Sequence, residues 1–227
     1  MPQSIEYILF DLDNTLYSSH LGLEDAVNVR VNDYLAEFFN MSKEKAWALR
    51  KEQIKKGGYG TTLEWLRTEQ GIGDEETEKY LAHMHPGNEA DILLPDPHLR
   101  EFLLSFSSRN IPIGILTNST MEHALRILGK LKITDLFHTI FDIRKNEFIG
   151  KPNKDIYHRI LSELGTSPSS CLFIDDIPFY AEGYRKIGGL GVLLDEDNLH
   201  PEFPGYRIQK LEEILKLRRP DGNLLFH

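Results

Sequence analysis

Five short apolar runs set the frame of this chain: Ile5–Phe10, Ile111–Leu116, Thr139–Phe141, Cys171–Ile174 and Leu190–Leu194. Each is too short for a buried helix, and Glu6 is the only charge in the first, so the runs predict buried strands. Segments of helical period separate them. Asp96-Pro97 predicts a helix start, with Asp as N-cap and Pro at the first helical position. Leu99, Phe102, Leu103 and Phe106 then share one face. Ser119 and Glu122 have capping-box spacing ahead of Ala124, Leu125 and Leu128. Asn153 is expected to cap a third helix, with Ile156, Ile160, Leu161 and Leu164 inward and Gly165 as its stop. Strands alternating with helices imply an α/β fold, a doubly wound parallel sheet covered on both faces.

Between the first two strands the rhythm breaks. Leu23, Val27, Val31, Tyr34, Leu35 and Phe38 keep helical spacing. Thr61 and Glu64 form another capping box before Trp65 and Leu66, and Asp74 is expected to cap a helix carrying Tyr80, Leu81 and Met84. The segment is too long for an ordinary strand-to-helix loop. It reads as an all-helical insertion over residues 18–94, with a core made of residues 1–17 and 95–227. Trp47 and Trp65 are expected in the core of the insertion. His83 and His85, two residues apart, point to different helix faces and are expected at a solvated helix end, not at a metal. Gly57-Gly58-Tyr59-Gly60 lacks the following Lys-Ser/Thr of a phosphate cradle. It is expected as a loop under the insertion, with Tyr59 turned toward a substrate. Lys210 to Arg219 is expected to be a solvated helix face.

Composition narrows the function. The 227 residues include 26 Lys and Arg against 35 Asp and Glu, a net charge of −9. That balance argues against nucleic-acid or anionic-membrane binding, which need basic surface. Cys171 stands alone, which excludes an internal disulfide and a cysteine-based zinc site. No apolar run approaches membrane-spanning length. Met1-Pro2-Gln3-Ser4 does not open a secretory signal, and the expected location is the cytoplasm.

The chemistry gathers at strand ends. The first strand runs directly into Asp11-Leu12-Asp13-Asn14-Thr15. Paired carboxylates at the end of a buried strand repel and are desolvated, a cost that a hard cation such as Mg²⁺ would offset. Alone, the five residues equally suit an Asp-rich turn. The second strand ends in Thr117-Asn118, just ahead of a helix N-terminus able to hold an anion. Gly150-Lys151-Pro152 places a Lys beside a stiff residue, and the fourth strand ends in Asp175-Asp176. Open α/β sheets bind ligands outside the carboxyl ends of their strands, and all four signals fall on that edge.

In this order the motifs resemble those of the haloacid dehalogenase superfamily of phosphohydrolases. Phe10 to Tyr17, reading FDLDNTLY, looks like its first motif, Thr117 its second, Lys151 its third and Asp175-Asp176 its fourth. The insertion sits where the superfamily carries its cap. Asn14 with Tyr17, the Tyr59-Gly60-Thr61-Thr62-Leu63 stretch and Thr117-Asn118 are similar to the pyrimidine 5′-nucleotidase-like branch. The resemblance implies Asp11 as nucleophile, Asp13 as acid and base, and Thr117, Asn118 and Lys151 as the phosphate-binding set. It implies Mg²⁺ on the side chains of Asp11 and Asp176 and the backbone carbonyl of Asp13, with Asp175 assisting through water or by orienting Lys151. An Asp at position 13 favours phosphoryl chemistry, because dehalogenases of this family expel a halide that needs no proton. One departure stands out. Tyr180 and Ile177 occupy places after Asp176 where small polar residues are frequent, which removes a supporting acceptor near the metal.

Three functions are in play. The first is a Mg²⁺-dependent phosphatase acting on a small phosphorylated metabolite, a nucleoside 5′-monophosphate being one case. The second is a sugar phosphomutase, and the third a non-catalytic binding protein on the same fold. The presence of both Asp11 and Lys151 favours catalysis.

Overall fold

The computed structural model describes residues 4–226. Six strands form one sheet, β1 (Tyr7–Phe10), β2 (Ile113–Leu116), β3 (Thr139–Phe141), β4 (Cys171–Asp175), β5 (Leu190–Leu194) and β6 (Tyr206–Ile208), in the order β3-β2-β1-β4-β5-β6. Every pairing is parallel. β1 is central, with Phe10 level with Ile115 on one side and Ile174 on the other. The chain winds outward through β2 and β3, then returns to β4 across β1. That reversal makes β1 the switch point, where a crevice opens at the carboxyl ends.

Strand alternation divides the core into two layers. Ile8, Phe10, Ile115 and Ile174 pack with α5 (Pro97–Ser107) and α6 (Met121–Leu131). Tyr7, Leu9, Cys171 and Phe173 face α7 (Lys154–Leu164) and Tyr184 of α8 (Pro178–Lys186). A third cluster joins the helices of the insertion, α1 (Leu23–Phe38), α2 (Lys43–Gly57), α3 (Thr62–Glu69) and α4 (Asp74–Met84), around Val31, Leu35, Trp65, Leu66 and Leu81. Among the described residues, no helix is long and apolar enough to cross a membrane.

Asp96, Thr61 and Asn153 cap their helices as their spacing predicts. Several local expectations need correction. α6 is capped by Thr120, not Ser119: Thr120 Oγ1 accepts from the His123 N–H at 3.3 Å, which releases the Ser119 hydroxyl for the site. Gly73, not Asp74, is the N-cap of α4. Trp65 is in the core of the insertion, but Trp47 is 48% exposed, with the Lys51 ammonium 3.9 Å above its ring. The Lys210–Arg219 region turns Leu211 and Ile214 inward on a 3₁₀ turn, so it is a closing element of the core. Three-residue β6 carries too little pattern to be read as a strand from sequence.

The insertion packs closely on the core at Gly60. A Cβ on Gly60 would lie 2.0 Å from the carbonyl oxygen of Lys151. Overpacking costs about 1–3 kcal/mol, and a chain of this size loses about 2–4 °C of Tm per kcal/mol. Gly60→Ala is therefore expected to lower Tm by about 2–12 °C in calorimetry. Gly129 lies within α6, where a Cβ meets nothing, and Gly129→Ala is expected to raise Tm by about 1–4 °C.

Candidate active site

β1, β2 and β4 end at the same height, which brings Asp11, Thr117 and Asp175-Asp176 to one rim. The turn before α7 delivers Lys151 among them. Lys151 is 1% exposed and its ammonium contacts Asp11 Oδ1 at 2.5 Å and Asp175 Oδ2 at 2.7 Å. Burial opposes the charge of Lys151, but the two carboxylates outweigh it and raise its pKa. The Asn118 side chain fixes the loop by accepting from the Lys151 N–H at 2.8 Å. Its Nδ2 is buried without a partner, and Asn118 lines the cavity. Thr117 lines it too, its Oγ1 accepting from the Ser119 N–H at 3.0 Å.

The acidic residues divide their work. Both oxygens of Asp175 are committed, one to Lys151 and one to the Ile177 N–H at 2.8 Å. The residue is wholly buried, which fits orientation of Lys151. Asp11 and Asp176 have less support. Burial pushes Asp11 up to about 8 against the pull of Lys151. Burial and the charges of Asp175 and Asp11 push Asp176 up to about 9. Carboxylate oxygens of Asp11, Asp175 and Asp176 lie within 4.8 Å of one another, a hard-oxygen cluster of three carboxyls around one ammonium. These donors fit Mg²⁺.

Asp13 points the other way, into a cage of donors. Tyr17 donates to its Oδ1 at 2.6 Å, and Ser119 to its Oδ2 at 2.8 Å. His123 Nε2 lies 2.7 Å from Oδ1. Burial would raise the Asp13 pKa, but the charge and hydrogen bond of His123 hold it well below the ordinary range. On its far side His123 Nδ1 meets Glu89 Oε1 at 2.9 Å, and Arg126 holds that same oxygen. Burial lowers the His123 pKa, but Asp13 and Glu89 outweigh this and push it up to about 9. His85 lies against His123 with ring centroids 4.1 Å apart and planes tilted by 34°, and burial pushes it down to about 3. His85 thus lines the cavity and is not a solvated helix end. His123, Glu89 and Ser119 are site residues that sequence spacing did not reveal. The exception in kind is His123, an imidazole on the buried face of an amphipathic helix, which is a usable signal.

The cavity is about 200 Å³ and is closed on the insertion side by Gly60, Thr61, Thr62, Leu63 and Arg50. Tyr59 is not among its lining residues; its hydroxyl donates to Glu69 at 2.8 Å on the outer side of the loop. The departure at position 180 has a structural use. The Tyr180 hydroxyl donates to the Gly60 carbonyl at 2.8 Å, and its ring lies 5.1 Å from the Lys151 ammonium.

The chain belongs to the haloacid dehalogenase-like hydrolase family, whose pattern matches residues 5–188. It is similar to Glyceraldehyde 3-phosphate phosphatase of Methanocaldococcus jannaschii, 24% identical over 222 residues that cover 94% of this chain and 96% of that protein. A shorter match, 34% identical over 101 residues, links 44% of the chain with 46% of Phosphatase MT3486 of Mycobacterium tuberculosis. The fold is shared with the crystal structure of a haloacid dehalogenase-type phosphatase from Thermococcus onnurineus, with a TM-score of 0.60, 19% identity, and 96% and 99% of the two chains covered.

The raised groups give a testable pH dependence. Asp11, Asp176 and His123 have folded pKa values of about 8, 9 and 9, above their ordinary values. The folded state therefore holds more protons than the unfolded chain up to about pH 9, and stability falls as pH rises through that range. Asp13 and Glu89, held low, contribute above the ordinary carboxylate range and lose that contribution only in acid. In chelator, Tm is expected to fall steadily from about pH 6 to about pH 9. A Tm that rises over this interval would contradict the assigned burial of these charges.

Proposed function

We propose that the chain is a Mg²⁺-dependent phosphomonoester hydrolase that works through an aspartyl-phosphate on Asp11. The carrying observation is the buried Lys151 ammonium between Asp11 and Asp175, beside an acid that faces the same cavity. A carboxylate can attack a phosphate only where their mutual repulsion is answered. The phosphatases among its relatives support the reading. The substrate is a small phosphorylated metabolite, in keeping with a cavity of about 200 Å³.

The side chains of Asp11 and Asp176, with the Asp13 carbonyl, would hold Mg²⁺, which when bound polarises the phosphoryl group and offsets the paired carboxylates. Thr117 and Asn118 bind the non-bridging oxygens. Lys151 opposes protonation of Asp11, as bound Mg²⁺ would, and neutralises the incoming phosphate. An Asp11 oxygen bonds to phosphorus as the bond to the leaving oxygen breaks. The His123–Asp13 pair holds a proton at neutral pH, which Asp13 passes to that leaving oxygen. Asp13 then takes a proton from the water that attacks phosphorus, releasing phosphate and free Asp11.

Nucleoside 5′-monophosphates remain a candidate within this class, on the resemblance carried by Asn14, Tyr17 and Thr117-Asn118. A panel of nucleotides, sugar phosphates and simple phosphomonoesters, assayed with Mg²⁺ and with chelator, tests the class. Activity is expected only with the ion. Asp11→Asn is expected to abolish turnover while the fold is kept. Asp13→Asn is expected to slow hydrolysis of an alkyl phosphate by about 10²–10⁴. Its effect on the first step with an aryl phosphate, whose leaving group needs less help, is expected to be smaller. Equal losses on both, without a burst of the phenolate, would remove Asp13 from the acid role.

A further inference from the structure

Glu89 stands one residue removed from the reacting groups. It lies on the linker that returns the chain from the insertion to the core, at the start of the 3₁₀ turn Glu89–Ile92. Its side chain is buried and both of its oxygens are held. Oε2 accepts from the Gly87 N–H at 2.7 Å. Oε1 accepts from Arg126 of α6 at 2.5 Å and meets His123 Nδ1 at 2.9 Å. The His123 imidazole, buried in turn, spans from this fixed carboxylate to Asp13 Oδ1.

The other two donors to Asp13 are of a different kind. Tyr17 and Ser119 each bring a single hydroxyl, and among the described residues neither hydroxyl bonds to anything else. They do not tie Asp13 to a further element. His123 does, because a ring gripped at one nitrogen presents the other in one direction. His85, Glu89 and His123 also bring ligand atoms within 4.8 Å of one another, as a metal site would. But Arg126 already sets a cation on the Glu89 oxygen and His123 is engaged through both nitrogens, so the cluster is closed within the protein. Asp13 has need of such a hold. It lies two residues from Asp11, and a carboxylate turned toward the rim would crowd the Asp11–Asp176 cluster with like charge and lose its place beside the leaving oxygen.

We propose that Glu89 is a positioning residue for phosphomonoester cleavage: it fixes the His123 ring and, through it, the orientation of the Asp13 carboxylate toward the leaving oxygen. This rests on the reading of Asp13 as acid and base and deepens it.

The test uses ethyl phosphate, which needs an acid, and p-nitrophenyl phosphate, whose leaving group needs less help. Glu89→Ala is expected to lower kcat for ethyl phosphate about 10- to 100-fold with KM little changed, as for a displaced catalytic group. Glu89→Gln, which keeps an acceptor for His123, is expected to retain part of the rate. The first-step burst with p-nitrophenyl phosphate is expected to fall less. At position 123 two amides separate the ends of the ring. His123→Gln keeps a donor near the place of Nε2 and is expected to be faster than His123→Asn, whose donor falls near Nδ1. In Asp13→Asn protein, Glu89→Ala is expected to add no further loss, because it acts through Asp13. A merely structural tie would slow both backgrounds alike. Unchanged turnover in Glu89→Ala, or an equal loss from it with and without the Asp13 carboxylate, overturns the proposal. If Glu89→Ala does not fold, the nearly isosteric Glu89→Gln carries the same comparison. If Asp13→Asn slows ethyl phosphate hydrolysis and the Glu89 variants do not, only the positioning role fails. If Asp13→Asn has no effect, or no ester is hydrolysed, the reading of Asp13 or of the phosphatase fails and the positioning role falls with it.

Discussion

The contact of Lys151 with Asp11 and Asp175 is the constraint around which the rest is arranged. Three charged groups lie almost out of reach of water at the end of a central parallel sheet. Removing one partner of such a cluster costs about 3–5 kcal/mol, because the others stay buried and unpaired. The sheet meets the demand by geometry. Hydrophobic pairing of β1 with β4 sets Asp11 and Asp175 at adjacent strand ends, and the loop before α7 is pinned through Asn118 so that Lys151 lands between them. Asp11 and Asp176 are left with raised proton affinity, a cost that a cation at the rim would offset. The site is thus a compensated defect in an otherwise apolar sheet edge.

A second arrangement gives Asp13 surroundings unlike those of Asp11. Asp11 and Asp13 are neighbours in sequence but have opposite surroundings. Asp11 is raised by burial, while Asp13 is held ionised by His123 with help from Tyr17. Two carboxylates with separated proton affinities can serve as nucleophile and proton carrier in one turnover. Glu89 and Arg126 extend the pairing from the insertion's end into α6, so Asp13 is supported by both parts of the chain. Tyr180 adds a second tie across the same boundary through Gly60.

Much of this was legible in the sequence where the signal is local. Short apolar runs marked β1 to β5, and Asp96, Thr61 and Asn153 marked helix starts, because strand alternation and caps depend on neighbours in the chain. The core site residues share one rim for the same reason: each follows a strand or precedes a helix. What failed depended on distant contacts. Ser119 and Thr120 are both competent caps, and Asp13 decides between them by taking the Ser119 hydroxyl. His85 reads as a polar helix end until α6 brings His123 against it. Tyr59 has the right loop but the wrong side of it, since Gly60 alone fits against Lys151.

The proposed chemistry requires that Asp11 become covalently phosphorylated. Asp13→Asn protein, mixed with a good-leaving-group phosphomonoester and Mg²⁺, quenched in acid within one turnover and digested, tests it directly by mass spectrometry. A phosphoryl group is expected on Asp11 and is expected to be absent from the Asp11→Asn protein. Product release with no phosphorylated enzyme, or a phosphoryl group on another residue, would contradict it.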